Sequence, residues 1–219
     1  HTRDITLIKE TIPVIRSIMF YFIRFTNQDG SLKKVPHWNF VDWTGEEIWP
    51  GGMPPRDENG NSATLDLLYL ISLQNAVEIE KNVGEDYYYY QKLKLQEEKL
   101  SLAVVAKYWN PKTKMFSEKP GEEIYSQHAN ALAVIAKIVK GEEAKQLMAK
   151  TLKEKNIIPC SIYFKYYLHE AVNKAGLGDI YLDLLEDWNV QLSRGVTTWA
   201  ETAATDTRSD CHAWGASPN

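Results

Sequence analysis

Apolar residues recur at three- and four-residue steps along most of the chain. In DITLIKETIPVIRSIMFYFIRF the series Ile5, Ile8, Ile12, Ile15, Met19 and Phe22 makes one apolar stripe and predicts an amphipathic helix. Pro13 falls inside it and predicts a kink or a later start. A loop from Asn27 to Asn61 follows. Leu65, Leu68, Leu70 and Leu73 then mark a helix from Ser62 to Lys81, and another runs from Asp86 to Trp109, where Asn110 and Pro111 stop it. YSQHANALAVIAKIVKG reads as a helix opening at Ser126 and closing at Gly141. EEAKQLMAKTLKEK is a compact amphipathic helix. CSIYFKYYLHEAVNKAGLGD opens at Ser161 and closes near Gly176 or Gly178, and IYLDLLEDWNVQLSRG ends at Gly195. No stretch sustains the period-two alternation of a strand. The expected fold class is all-α.

Four of the predicted starts carry a serine: Ser62, Ser126, Ser161 and Ser209. Another helix or two lies between successive members of that set, so the pattern is a series of helical hairpins of irregular spacing, without a fixed repeat. Hairpins with long decorated loops at one end fit an incomplete (α/α)6 toroid, an inner and an outer ring of helices around a central cavity. An irregular helical bundle satisfies the same periodicity.

Composition narrows the function. With 219 residues and 44% hydrophobic content the chain can bury a real core, and it is read as a single domain over 1–219. A net charge of −4 without a basic patch argues against nucleic acid and anionic membranes as partners. The apolar run from Ile12 to Ile23 is interrupted by Pro13 and Arg16 and is too short to span a bilayer. No signal peptide is visible, but a chain that starts at His1 leaves export open. Cys160 and Cys211 do not make a disulfide framework and are expected as free, mostly buried thiols. Seven Trp and twelve Tyr shift attention to sugars, because these side chains join a flat apolar face to a hydrogen-bonding edge. Core filling is the plainer use of the same rings.

Three loop regions combine rings with ionisable groups. The first, VPHWNFVDWTGEEIWPGGMPPRDENGNSA, holds His37, Trp38, Asp42, Trp43, Glu46, Glu47 and Trp49. A loop of that length in a compact domain is usually functional or disordered, and its Trp content argues against disorder. Asp42 reads equally as a ligand-binding or a turn carboxylate. Trp43 and Trp49 read as ring-stacking platforms or as packing under the loop, and Glu46 and Glu47 as solvated. The second, EIYSQHANALA, sets His128 in the first turn of its helix, where the dipole disfavours protonation. That suits a neutral hydrogen bond to a ligand, or a packed histidine. The third closes the chain. Glu201 stands among Trp199, Ala200 and Ala203, apolar neighbours that raise a carboxyl pKa when they bury it. Such a group suits the base of an inverting glycosidase, in which a second carboxyl protonates the leaving oxygen. His212 and Trp214 follow a serine cap and would sit at the same mouth. No cluster has metal-ligand spacing.

The series WNFVDWT at 38–44, GGMPP at 51–55, SA at 62–63, YSQHANALAVIA at 125–136, GVTTWAE at 195–201 and RSDCHAWGASPN at 208–219 covers nearly the whole chain. In that order it resembles the catalytic (α/α)6-barrel of bacterial α-L-rhamnosidases, glycoside hydrolase family 78, in the form found in Bacteroidetes. The resemblance implies inverting hydrolysis of terminal α-L-rhamnose without a cofactor, with rhamnose-containing glycans or glycosides as substrates. It places the general base on Glu201, and the histidine of Ser-x-x-His, which contacts the sugar, on His212. Asp42 and Trp43 are expected to line the sugar pocket, together with His128, Trp199 and Trp214. The family's general acid lies on an acidic segment for which this chain has no counterpart. The chain is therefore expected to be a piece of the barrel truncated at both ends, inactive alone, whose partner is the remainder of the parent enzyme. The family's habit of export implies a periplasmic or extracellular location. Alternatives from the same residues are another (α/α)-toroid glycosidase and a noncatalytic helical domain that binds glycan or a partner.

Overall fold

Why the chain folds as paired helices is visible in which faces it buries. The computed structural model describes residues 5–45, 47–205 and 209–216. Helix α1 spans Ile5–Ile23 and runs through Pro13, burying Ile12 and Met19 while Ile15 and Phe22 pack against the core. Its first turn does not follow the predicted stripe: Ile5 is exposed. Helix α2, Ala63–Val83, buries Leu67, Leu70, Leu73, Ala76 and Val77, a run at three- and four-residue steps. Helix α3, Tyr87–Tyr108, starts at Asp86, whose carboxylate accepts the Tyr89 N–H at 2.9 Å as an N-cap. Two short antiparallel strands, β1 (Trp109–Asn110) and β2 (Met115–Phe116), then turn the chain. They are too brief for alternation to announce them.

Helix α4, Gln127–Ile135, ends well before Gly141, contrary to expectation. The chain leaves it through Lys137, at φ 60°, and the Ala136 carbonyl accepts from Gln74 Nε2 at 2.8 Å. Gly141, at φ 55°, opens α5 (Gly141–Lys153) instead. That helix buries Ala144, Leu147, Met148 and Thr151, one clean face. Helix α6 is shorter than expected, Lys165–Lys174. A 3-10 segment, Gly178–Leu185, precedes α7, Glu186–Ser193. No α-helix opens at Ser209; among the described residues a 3-10 turn at Ala213–Gly215 stands there.

Helices α2/α3 and α4/α5 follow one another as hairpins, α6 and α7 each pack on the 3-10 segment between them, and α4 packs between α2 and α6. The inner row is thus α2–α4–α6, as a partial helical toroid requires. The starts of these helices lie together. The Ala63 N–H donates to the Glu118 carbonyl at 2.9 Å, and Ser126 bridges to Ile158. Only Ser126 caps in the predicted way, its Oγ accepting the Ala129 N–H at 2.9 Å. Ser62 is buried with no hydroxyl partner among the described residues, and Ser161 spends its hydroxyl elsewhere. Cys160 is a buried free thiol, whereas Cys211 is free but exposed.

One buried group on α6 gives the fold a pH dependence. His169 packs between Tyr181 and Trp188, at ring separations of 5.1 and 5.6 Å, and neither ring nitrogen has a hydrogen-bond partner among the described residues. Burial, with Lys165 nearby, lowers its pKa from 6.5 to about 4. Between these values the unfolded chain binds a proton that the folded chain refuses, so stability falls as pH drops through that window and levels off below it. His169→Leu is expected to remove that component. Urea unfolding at pH 7 and pH 4.5 should show wild type losing on the order of 2 kcal/mol more than the variant. Equal losses would contradict the assignment.

Candidate active site

The first loop is folded by its glycines. Gly52, at φ 69°, accepts the N–H groups of Val41 and Asp42 at 2.8 and 3.2 Å, which closes residues 41–52 into a tight lobe. A Cβ on Gly52 would lie 2.6 Å from the Phe40 ring, so this approach requires glycine. Trp49 is fully buried beneath the lobe.

Asp42 is fully buried too, and its carboxylate has three donors. His128 Nε2 lies 2.6 Å from Oδ2, the Ser161 N–H donates to the same oxygen at 3.0 Å, and the Ser161 hydroxyl donates to Oδ1. The carboxylate fixes the histidine tautomer with its proton on Nε2. The imidazole is held between Trp49 and Phe164, at 4.3 and 4.4 Å. Asp42 and His128 were both expected to line a sugar pocket. The structure instead closes them from solvent and commits them to each other, as a clasp between the first loop, α4 and the segment entering α6. This explains why Ser161 does not cap α6.

A second buried carboxyl gave no signal in the sequence. Glu118 stands in a charged loop that the sequence reading did not single out, and it is fully buried. Its Oε1 accepts from the Thr64 hydroxyl at 2.8 Å and from the Ser126 hydroxyl. Burial pushes its pKa above the ordinary carboxylate range, against the pull of these donors. Asp66, on α2, behaves alike. It accepts from the Leu32 N–H and the Tyr108 hydroxyl, each at 2.7 Å, and burial brings its pKa to about 7. Neither carboxyl has access to a substrate.

The closing segment is built differently. The His212 N–H donates to the Trp199 carbonyl at 2.7 Å and the Glu201 N–H to the Ser209 carbonyl at 2.9 Å, which lays 199–201 beside 209–212. The Thr198 hydroxyl adds a bond to the Asp210 carbonyl at 2.5 Å. Trp214 stacks on His212 at 4.3 Å and meets Tyr163 at 5.1 Å. Ala200 is buried, but Trp199, Glu201, His212 and Trp214 are only partly so. Glu201 is therefore half-buried, so its apolar neighbours do not fully enclose it.

Residues 161–164 connect the two halves. Ser161 holds Asp42, Phe164 packs on His128, and Tyr163 carries Trp214. Burial and the Asp42 charge raise the Tyr163 phenol. The ring and hydroxyl of Tyr163 were missed at the sequence level because IYFKYY reads as helix-facing core. Trp43 is 42% exposed and forms a surface trio with Phe40 and Trp38, at 5.0 and 6.2 Å. Trp49 took the packing alternative. Glu47 is solvated as expected, while Glu46, Arg208 and the final Ser217, Pro218 and Asn219 lie outside the described residues. A cavity of about 410 Å³ beneath Trp38 and Phe40, and one of about 540 Å³ beside Trp109 and Leu147, include none of Glu201, His212 and Trp214. Among the described residues no group of three or more side chains could hold a metal ion, and no helix is long and apolar enough to cross a membrane.

Comparison with known proteins bears on the family and the fold. The family model for the bacterial alpha-L-rhamnosidase 6 hairpin glycosidase domain matches residues 1–219. Among solved structures, the chain is similar to the GH78 family rhamnosidase of Bacillus sp. GL1, with TM-score 0.82 and 18% identity over 100% of this chain and 24% of that one. It is also similar to a rhamnosidase from Klebsiella oxytoca solved with rhamnose bound, with TM-score 0.77 and 16% identity over 94% and 40% of the two chains. At such identities the likeness establishes the fold, and the chain spans well under half the length of either protein. No curated protein matches it.

Proposed function

Because the chain belongs to the bacterial α-L-rhamnosidase six-hairpin glycosidase family, we propose that it forms part of an enzyme releasing terminal α-L-rhamnose from glycans or glycosides by inversion. In this reading Glu201 is the general base. It takes a proton from the water that attacks the anomeric carbon, as the leaving oxygen is protonated from the opposite side. The observation that carries the reading is the closing segment. A half-buried Glu201 is pinned by backbone bonds beside the stacked His212–Trp214 pair.

His212 and Trp214, with Trp199 and the exposed Trp43, are then the groups that contact sugar, rings supplying apolar faces and His212 a hydrogen bond. Asp42 and His128 act through the loops they hold. The general acid is a carboxyl outside these 219 residues. Asp42 and Glu118 are unsuited to that role, since both are fully buried. A water must also fit between acid and base, which requires a separation of roughly 6.5–9.5 Å.

Stereochemistry tests the mechanism. Proton NMR of p-nitrophenyl α-L-rhamnoside hydrolysis, by the enzyme that contains these residues, is expected to show β-L-rhamnose as the first product, with the α-anomer appearing only by mutarotation. Initial release of the α-anomer would overturn the inverting mechanism.

A further inference from the structure

Three side chains at three-residue steps along α7 and its C-cap reach the segment that carries Glu201. Trp188 Nε1–H donates to the Gly215 carbonyl at 2.6 Å. Gln191 Oε1 accepts the Ala200 N–H at 2.8 Å. The Arg194 guanidinium donates to the Ala203 carbonyl. Spacing of this kind brings side chains to one side of a helix. Trp188 and Gln191 are 2% and 1% exposed, so water does not compete for their bonds. The two ends of the segment also touch, since a Cβ on Gly215 would lie 2.7 Å from the Ala200 carbonyl oxygen.

Gln191 is an expensive choice for a packing residue. Its Nε2 is buried and has no partner among the described residues, a loss that Met or Leu at the same place would avoid. What the amide supplies is one acceptor, aimed at the N–H of Ala200 in the Trp199–Ala200 peptide, next to Glu201.

We propose that Gln191, assisted by Trp188, is a positioning residue for the hydrolytic reaction: it fixes the Trp199–Ala200 peptide, one residue ahead of Glu201, and so sets the direction from which the Glu201 carboxylate meets its water. The inference rests on the assignment of Glu201 as base. A carboxylate misplaced by about 1 Å costs on the order of 10²-fold in rate, so the device acts on turnover more than on sugar binding.

Two near-isosteric variants of the active enzyme separate this role from packing. Gln191→Met keeps the shape and removes the acceptor; Gln191→Glu keeps both. With p-nitrophenyl α-L-rhamnoside, Gln191→Met is expected to lower kcat about 10–100-fold with KM changed less than about threefold. Gln191→Glu is expected to recover most of kcat. Trp188→Phe, which keeps a ring but loses the donor to Gly215, is expected to show the same kcat-selective loss. Wild-type kcat in Gln191→Met, or equal impairment of Gln191→Met and Gln191→Glu, would overturn the positioning role. Glu201→Gln run alongside distinguishes the two assignments. If it is inactive while Gln191→Met is unimpaired, only the positioning role falls; if it retains full activity, the base assignment falls first.

Discussion

Asp42→Ala is expected to destabilise the fold by about 4 kcal/mol, because it strips the acceptor from the buried His128 and from two donors of the half-buried Ser161 at once. The Ser161 N–H, the Ser161 hydroxyl and His128 Nε2 all converge on that carboxylate, and Asp42 and His128 have no access to solvent that could replace it. Each buried polar group left unpaired costs about 1–3 kcal/mol, and breaking a buried pair by removing one member costs about 3–5 kcal/mol. These figures overlap and do not add, which sets the expectation at 4. Against a typical domain stability of about 5–15 kcal/mol the loss is large. Asp42→Asn keeps one acceptor oxygen but turns an NH2 toward donors, so an intermediate loss is expected. Urea denaturation checks both variants, with near-UV circular dichroism reporting the environment of Trp49, which packs on His128. A change below about 1 kcal/mol in Asp42→Ala would mean the clasp is dispensable.

The same clasp marks the limit of what the sequence reveals. Helical periodicity located every α-helix among the described residues, because each must bury one stripe: the steps are legible in α2 from Leu, Ala and Val, and in α5 from Ala144, Leu147 and Met148. Helix ends were less legible. Ser126 caps as its position suggests, but Ser161 looks identical in sequence and binds a carboxylate 119 residues away. Likewise Gly141 resembles a helix stop, although Lys137 accepts the positive φ and leaves Gly141 to begin the next helix.

For the site, the residue types drew attention to the right stretches without saying which would be buried. Asp42, His128 and Trp49 were read as pocket-lining or stacking candidates and lie under the surface as a unit. Glu201, whose apolar neighbours raise its pKa only where they bury it, is half-buried. Burial of a polar group depends on what the rest of the chain brings against it, and local sequence carries no record of that. Glu118 is the clearest case, a carboxyl in a charged loop that ends fully buried against Thr64 and Ser126.

The second large effect concerns turnover. Glu201→Gln preserves the size of the side chain and leaves the backbone bonds of 199–201 to 209–212 unaffected, so the segment should stay in place. What the amide loses is the capacity to take a proton from water. A positioned acid or base contributes about 10²–10⁴-fold to such a reaction, and in an inverting glycosidase no covalent intermediate offers a way round the missing base. Sugar binding depends on His212 and the tryptophan rings and should survive, which separates this variant from one that disrupts the pocket.

The most direct test is therefore kcat and KM of Glu201→Gln, in the active enzyme, with p-nitrophenyl α-L-rhamnoside. The account predicts a kcat lower by about 10²–10⁴-fold with KM little changed. Retention of wild-type kcat would contradict it.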